Sequence, residues 1–205
     1  MFVSNITYSQ EIRTIIEKDG KISKKTEFGA KIQFRNNLDT DILVDRTDIG
    51  GKIGYKIAKQ TKISGGLKYS FGKNNPNDSE DNETAIYDKY RLNIDFKYKN
   101  KKLFKNTNIS NRLRFQYYLT EHNNQKFEAR DKIMMEHKYS KNINFSLAIE
   151  PYYSFEDNKF TMFRLYGGNE FKVLDRKVEL FFIFELNNHT NYQNTNQILG
   201  IAYKF

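Results

Sequence analysis

The chain has 205 residues, 38% of them hydrophobic and 29% charged. That is about one domain, and no stretch approaches the roughly 20 consecutive apolar residues of a membrane-crossing helix. Seventeen Phe and fourteen Tyr argue against disorder, the absence of Cys excludes a disulfide scaffold or cysteine metal site, and a net charge of +9 spread along the chain without a binding motif gives no reason to expect a nucleic-acid partner.

Strict alternation of apolar and polar residues runs from end to end, the signature of strands with two unlike faces. The first run sets Ile6, Tyr8, Ile12 and Ile16 against Thr7, Glu11, Arg13 and Glu17, and Lys18-Asp19-Gly20-Lys21 reads as a tight turn. Next, Ile22, Phe28, Ala30, Ile32 and Phe34 oppose Lys25, Glu27, Lys31, Gln33 and Arg35. After a loop near Asn36 to Asp41, Ile49, Ile53, Tyr55 and Ile57 oppose Lys52 and Lys56, and Ile63, Leu67, Tyr69 and Phe71 oppose Lys62, Ser64 and Lys68. A polar loop from Asn74 to Thr84, with Pro76 in it, precedes the run Tyr90 to Tyr98. The runs Ile109–Leu119, Phe127–Tyr139, Phe145–Phe155, Phe163–Val173, Val178–Leu186 and Leu199–Phe205 follow. Eleven strands are predicted, with no helix and no linker between them, so residues 1–205 read as one domain.

Three features point the apolar face outward. Many runs are long enough to cross a bilayer at a tilt. The bulky apolar residues would overfill one closed interior. Aromatics gather near both ends of the apolar faces, as Tyr55, Phe96, Tyr98, Tyr139, Phe145, Phe171, Tyr203 and Phe205 at one and Phe71, Tyr90, Tyr117, Phe127, Tyr153, Phe155 and Phe163 at the other, the pattern of interfacial girdles. Short connections at Lys18–Lys21, Ala58–Thr61, Ser140–Ile143 and Leu174–Lys177 alternate with longer or more polar ones, including Lys73 to Ala85 and Asn187 to Asn196. The predicted fold class is all-β: an antiparallel transmembrane barrel with short periplasmic turns and longer external loops.

The chain ends on Leu199, Ile201, Tyr203 and Phe205, alternating and closing on Phe, which resembles the assembly signal of bacterial outer-membrane barrels. With Asn111–Tyr117, Asp131–Tyr139, Phe163–Gly168 and Gly200–Tyr203, the chain resembles an uncharacterised, porin-like family of small Gram-negative outer-membrane barrels, a domain of unknown function. The resemblance implies location and fold, with outer-membrane lipid and the barrel-assembly machinery as partners, and no established activity. Such barrels normally have an even strand number. Eleven strands therefore imply an N-terminal strand lost with a signal peptide, or one strand too many or too few, and an intact barrel of ten or twelve. Pro151 inside a strand predicts a bulge or the strand's upper end.

A polar lumen is the candidate site. Arg91, Arg112, Arg114, Arg130, Lys132, Glu136, Glu150, Arg164, Glu170, Lys172, Glu179, Glu185 and Lys204 are read as its charged lattice. Hairpin arithmetic sets Lys172 beside Glu179, Glu179 near Lys204, Arg164 near Glu150 and Tyr152, and Tyr166 near Glu185. Glu136 is the acid nearest the strip Arg112, Arg114, Arg130 and Lys132. Tyr152, Tyr166, Phe181 and Ile183 fill space, with Phe181 and Ile183 over Gly168, Gly200 and Ala202, while Gly54 and Gly66 pair and either leave local room or relieve backbone strain at a tightly curved wall. Facing ions in a lumen form either a structural lattice or a selectivity ring.

Enzyme signals are weak. A lipid hydrolase needs a Ser/His/acid set; His137 falls on the apolar face with no serine partner, and His122 and His189 fall in loops. Gly50-Gly51-x-x-Gly54 lacks the following helix of a phosphate loop. No cofactor and no metal are expected. The sequence thus points to a monomeric, non-enzymatic outer-membrane barrel, a narrow pore or a structural or surface barrel with a charged, partly filled lumen. The alternatives are an outer-membrane lipid-modifying enzyme and a soluble ligand-binding barrel with the apolar face inside.

Overall fold

The computed structural model describes residues 8–38, 45–73, 86–104, 106–120, 125–173, 176–189 and 192–205. Ile6, His122 and the acidic loop from Asn74 to Thr84 lie outside them. The strands are β1 (Tyr8–Lys21), β2 (Thr26–Asn37), β3 (Arg46–Lys56), β4 (Thr61–Lys73), β5 (Ile86–Phe104), β6 (Thr107–Thr120), β7 (Lys126–Lys138), β8 (Ile143–Ser154), β9 (Lys159–Val173), β10 (Arg176–His189) and β11 (Tyr192–Lys204). Consecutive strands pair antiparallel, and β1 pairs with β11 to close the barrel. At about 3.3 Å per residue and a tilt near 40°, even an eleven-residue strand rises about 28 Å.

The closing pair is parallel, with Arg13 opposite Gly200 and Glu17 opposite Lys204. This corrects the parity expectation: eleven strands close without a twelfth, because β1 and β11 run in the same direction. Connections at one end of the barrel have two to four residues. Those at the other reach eight between β2 and β3 and twelve between β4 and β5, yet β10 and β11 are joined there by two. The expected loop from Asn187 to Asn196 is instead mostly ladder, with Asn187 opposite Asn194 and His189 opposite Tyr192. Its side chains are polar on both faces, so alternation could not reveal the strands. The first turn also moves. Asp19 and Gly20 stay in the ladder, opposite Gly29 and Phe28, and the reversal falls at Ile22–Lys25, where Ile22 and Ser23 donate backbone hydrogen bonds to Thr26. Gly20 is needed on the outer face, where the Phe28 ring covers it and leaves no space for a Cβ.

Alternation sends the two faces opposite ways. Thirty-seven large hydrophobic side chains are exposed among the described residues, and only six hydrophobic residues are buried. Fourteen polar or charged residues are buried. This distribution is the reverse of the one expected of the soluble alternative, whose apolar face would point inward. The outer aromatics stack in two groups: Tyr69, Phe71 and Tyr90, with Phe115, Phe127, Phe155, Tyr153 and Phe160, toward the long-loop end, and Tyr139 with Phe145 and Tyr203 with Phe205 toward the short-turn end. Among these aliphatic and aromatic side chains, Asp131 accepts a hydrogen bond from Asn111 of the neighbouring strand, so neither polar group is left bare.

Pro151 sits inside β8, where it has no N–H to give. The β7–β8 ladder is interrupted beside it, between Arg130–Tyr152 and Ile133–Ile149, and a register shift follows at Tyr152/Tyr153 on the β9 side.

Candidate functional site

The inward faces enclose a cavity of about 730 Å³. Fifteen Lys or Arg and eight Asp or Glu line it, a surplus of seven positive charges among the described residues.

Three carboxylates organise the wall. Glu150 lies 2.8 Å from Arg112, 3.2 Å from Arg130 and 4.0 Å from Arg164. Glu185 binds Arg164 and reaches Arg13 at 3.7 Å. Asp48 lies 3.0 Å from Arg35, 3.3 Å from Arg46 and 2.9 Å from Lys68. Glu11 bridges Arg13 and Arg35 and so joins the Asp48 and Glu185 groups across β1. Farther round, Asp95 holds Arg114. A low-dielectric wall makes each pair strong and each unpaired charge costly. Glu11, Arg13, Arg35, Asp48, Lys68 and Asp95 were not singled out from the sequence. Their signal was the polar face of β1 to β5, no different from that of solvated positions.

The structure distributes the expected lattice as follows. Arg112 and Arg130 share Glu150, so Glu136 is not their acid; it pairs with Lys99 at 2.6 Å. Arg164 meets Tyr152 and Glu150, in the register that hairpin arithmetic gave. Tyr166 donates to Glu179 rather than to Glu185, because it stands opposite Ile183. Lys204 lies 2.6 Å from Glu179 and 3.3 Å from Glu170, and Lys177 lies 2.8 Å from Glu170. Lys172 is exposed at the rim and stands opposite Lys177, not Glu179. Lys132 Nζ sits 4.3 Å from the Tyr166 ring centre. Arg91 faces the Tyr118 ring.

Space-filling residues gather on one side. Ile15, Phe181, Ile198 and Ala202 form a buried apolar cluster, with Tyr166 and Ile183 packed against it. Phe181 stands between Gly168 and Gly200, and a Cβ at Gly200 would overlap its ring. Gly54 and Gly66 do not pair: Gly54 faces Ser64, and Gly66 faces Lys52. Leu199 and Ile201 of the last strand are exposed on the apolar exterior, as is Phe205. Tyr203 accepts a hydrogen bond from Arg176 there.

His137 does have a hydroxyl partner, Thr107 Oγ1 at 2.9 Å from Nδ1. A triad also needs an acid to orient the imidazole, and His137 makes no ion pair among the described residues.

The family model described as "Protein of unknown function (DUF2490)" matches residues 14–198. The chain belongs to this family. No curated protein matches it. Among solved structures it is similar to the anion-selective porin from Comamonas acidovorans, at 12% identity and a TM-score of 0.41, over 88% of this chain and 53% of the porin. The chain therefore spans about half the length of that protein.

Proposed function

We propose that this barrel resides in the bacterial outer membrane and acts without catalysis, as a narrow, charged lumen for small hydrophilic solutes. The observation that carries the reading is the inversion of burial: an apolar exterior with aromatics at both ends, around an interior of charged side chains. An exposed apolar surface of this extent needs lipid or a partner to cover it. Its continuity around a closed barrel favours lipid on all sides, hence a monomer in outer-membrane lipid. The exposed alternating strand β11 is the segment for the barrel-assembly machinery to recognise. The apolar cluster around Phe181 narrows the lumen without filling it, which favours small solutes.

Planar-bilayer recording tests the pore. The purified barrel is expected to give small, reproducible unit conductances, and Phe181→Ala larger ones. Absence of any unit step at all voltages, from protein shown to be folded, refutes the pore. Fractionation of cells that express the protein natively should place it with the outer membrane; recovery as soluble protein in plain buffer refutes the membrane reading.

A further inference from the structure

Among the described residues, the ion-pair network does not cross from β4 to β5. Cross-strand ion pairs or shared carboxylates lead from Lys68 on β4 through Asp48, Arg35, Glu11, Arg13, Glu185 and Arg164 to Glu150 and its arginines, and Asp95 ties β5 to β6 through Arg114. Between β4 and β5 no such pair occurs among the described residues. Cations face each other there instead: Lys68 stands directly opposite Arg91, and Lys62 opposite Lys97. Like charges directly opposite destabilise a sheet.

Arg91 is the sharpest case. No carboxylate lies within ion-pair distance of it among the described residues, and its buried Nε has no hydrogen-bond partner. Lys89, one step along the inner face, meets the Tyr118 ring at 4.1 Å and likewise has no ion pair there. Lys68 meets one acid, Asp48, at 2.9 Å, while the ladder partners of Lys68 on β3 and of Lys89 on β4 are small and neutral. Gly50 lies opposite Lys68 on β3, Ser70 opposite Lys89, and Asn93 opposite Gly66. All but Gly66 line the cavity. The β4–β5 seam thus faces the cavity, is rich in donors and sets one carboxylate, Asp48, against the three cations Lys68, Lys89 and Arg91.

We propose that the β4–β5 seam is a binding site for a compact, multiply charged oxyanion, phosphate-like or polycarboxylate, held by Arg91, Lys68 and Lys89. The planar guanidinium offers parallel N–H donors that match two oxygens of such an anion. Lys68 and Lys89 supply charge from either side, and Asn93, on the cavity wall, adds an amide donor. The anion closes the gap in the network and relieves the Lys68–Arg91 repulsion. A monovalent halide satisfies neither the fork nor the charge. The proposal deepens the passive-lumen reading by naming what the lumen holds.

The test is titration calorimetry on the folded, detergent-solubilised barrel, with inorganic phosphate and citrate as probes and sodium chloride at matched ionic strength as control, alongside thermal melting. At least one oxyanion should bind and raise Tm beyond chloride. Arg91→Gln and Lys68→Gln should each weaken that binding about tenfold or more, and Lys172→Gln, at the rim, should not. Arg91→Gln removes a charge that has no carboxylate, so it should fold, with an anion-free Tm at or above that of the parent. Equal responses to oxyanion and chloride overturn the site, as does binding unaffected by both Arg91→Gln and Lys68→Gln. Titration with phospholipid–detergent micelles separates a lipid phosphate from a free one: heat from the micelles alone moves the ligand to a headgroup and overturns the lumenal small-anion site. Oxyanion binding without bilayer conductance leaves the site standing and removes the pore; conductance without binding does the reverse.

Discussion

Two stretches of the inner wall use the same alternating strands and do opposite things. Where β10, β11 and β1 meet, inward positions hold Ile15, Phe181, Ile198 and Ala202, large groups over small ones, and the wall is dry. Across the lumen, β4 and β5 place Lys68 against Arg91 beside Gly50 and Gly66, and the wall is polar and cationic. Period-two patterning decides only which face looks inward. What the inner face does depends on partner size and charge at each rung. One closed sheet therefore carries a packed half and a hollow half.

The largest effects fall on the residues that join the two halves. Glu150→Gln leaves Arg112, Arg130 and Arg164 around an uncharged amide, and loss of a buried partner of this kind costs about 3–5 kcal/mol. The measurement is the urea midpoint of the folded, heat-modifiable band on gels. Phe181→Ala empties the dry half at a cost of roughly 3–5 kcal/mol and should raise unit conductance. Gly200→Val overfills the same place, since a Cβ there meets the Phe181 ring, and should cost about 1–3 kcal/mol while leaving conductance low. Pro151→Ala restores an N–H where the β7–β8 ladder is interrupted; a gain of about 1 kcal/mol or less is expected, read as slowed amide exchange at Asp131 and Lys132.

The strands and their faces were legible because each run repeats with the period of the pleat. Partners were less so, and three of the misses share one cause. Placing the last tight turn at Leu174–Lys177 set Lys172 beside Glu179 and Tyr166 beside Glu185. The observed reversal spans two residues, so Glu170 faces Glu179 and Tyr166 faces Ile183. The same two-residue slip separates the expected Gly54–Gly66 pair from the observed Gly54–Ser64. A slip of one exchanges the faces and shows in the pattern; a slip of two keeps every side chain on its face and leaves no trace. Glu150 does stand opposite Arg164 in the observed ladder. Closure was illegible for another reason: β1 and β11 are neighbours only in space, and no local pattern records whether their pairing is parallel.

That parallel seam has a topological consequence. Both flanking strands descend from the long-loop rim to the short-turn rim, so the start of β1 and the end of β11 lie at opposite mouths of the barrel. In a bilayer, epitopes at those two points would occupy different compartments, one reachable by antibody on intact cells and the other only after permeabilisation. A circular permutant joining them would need a linker the height of the wall, threaded inside or laid through lipid, whereas a barrel of even strand number could be rejoined with a short turn.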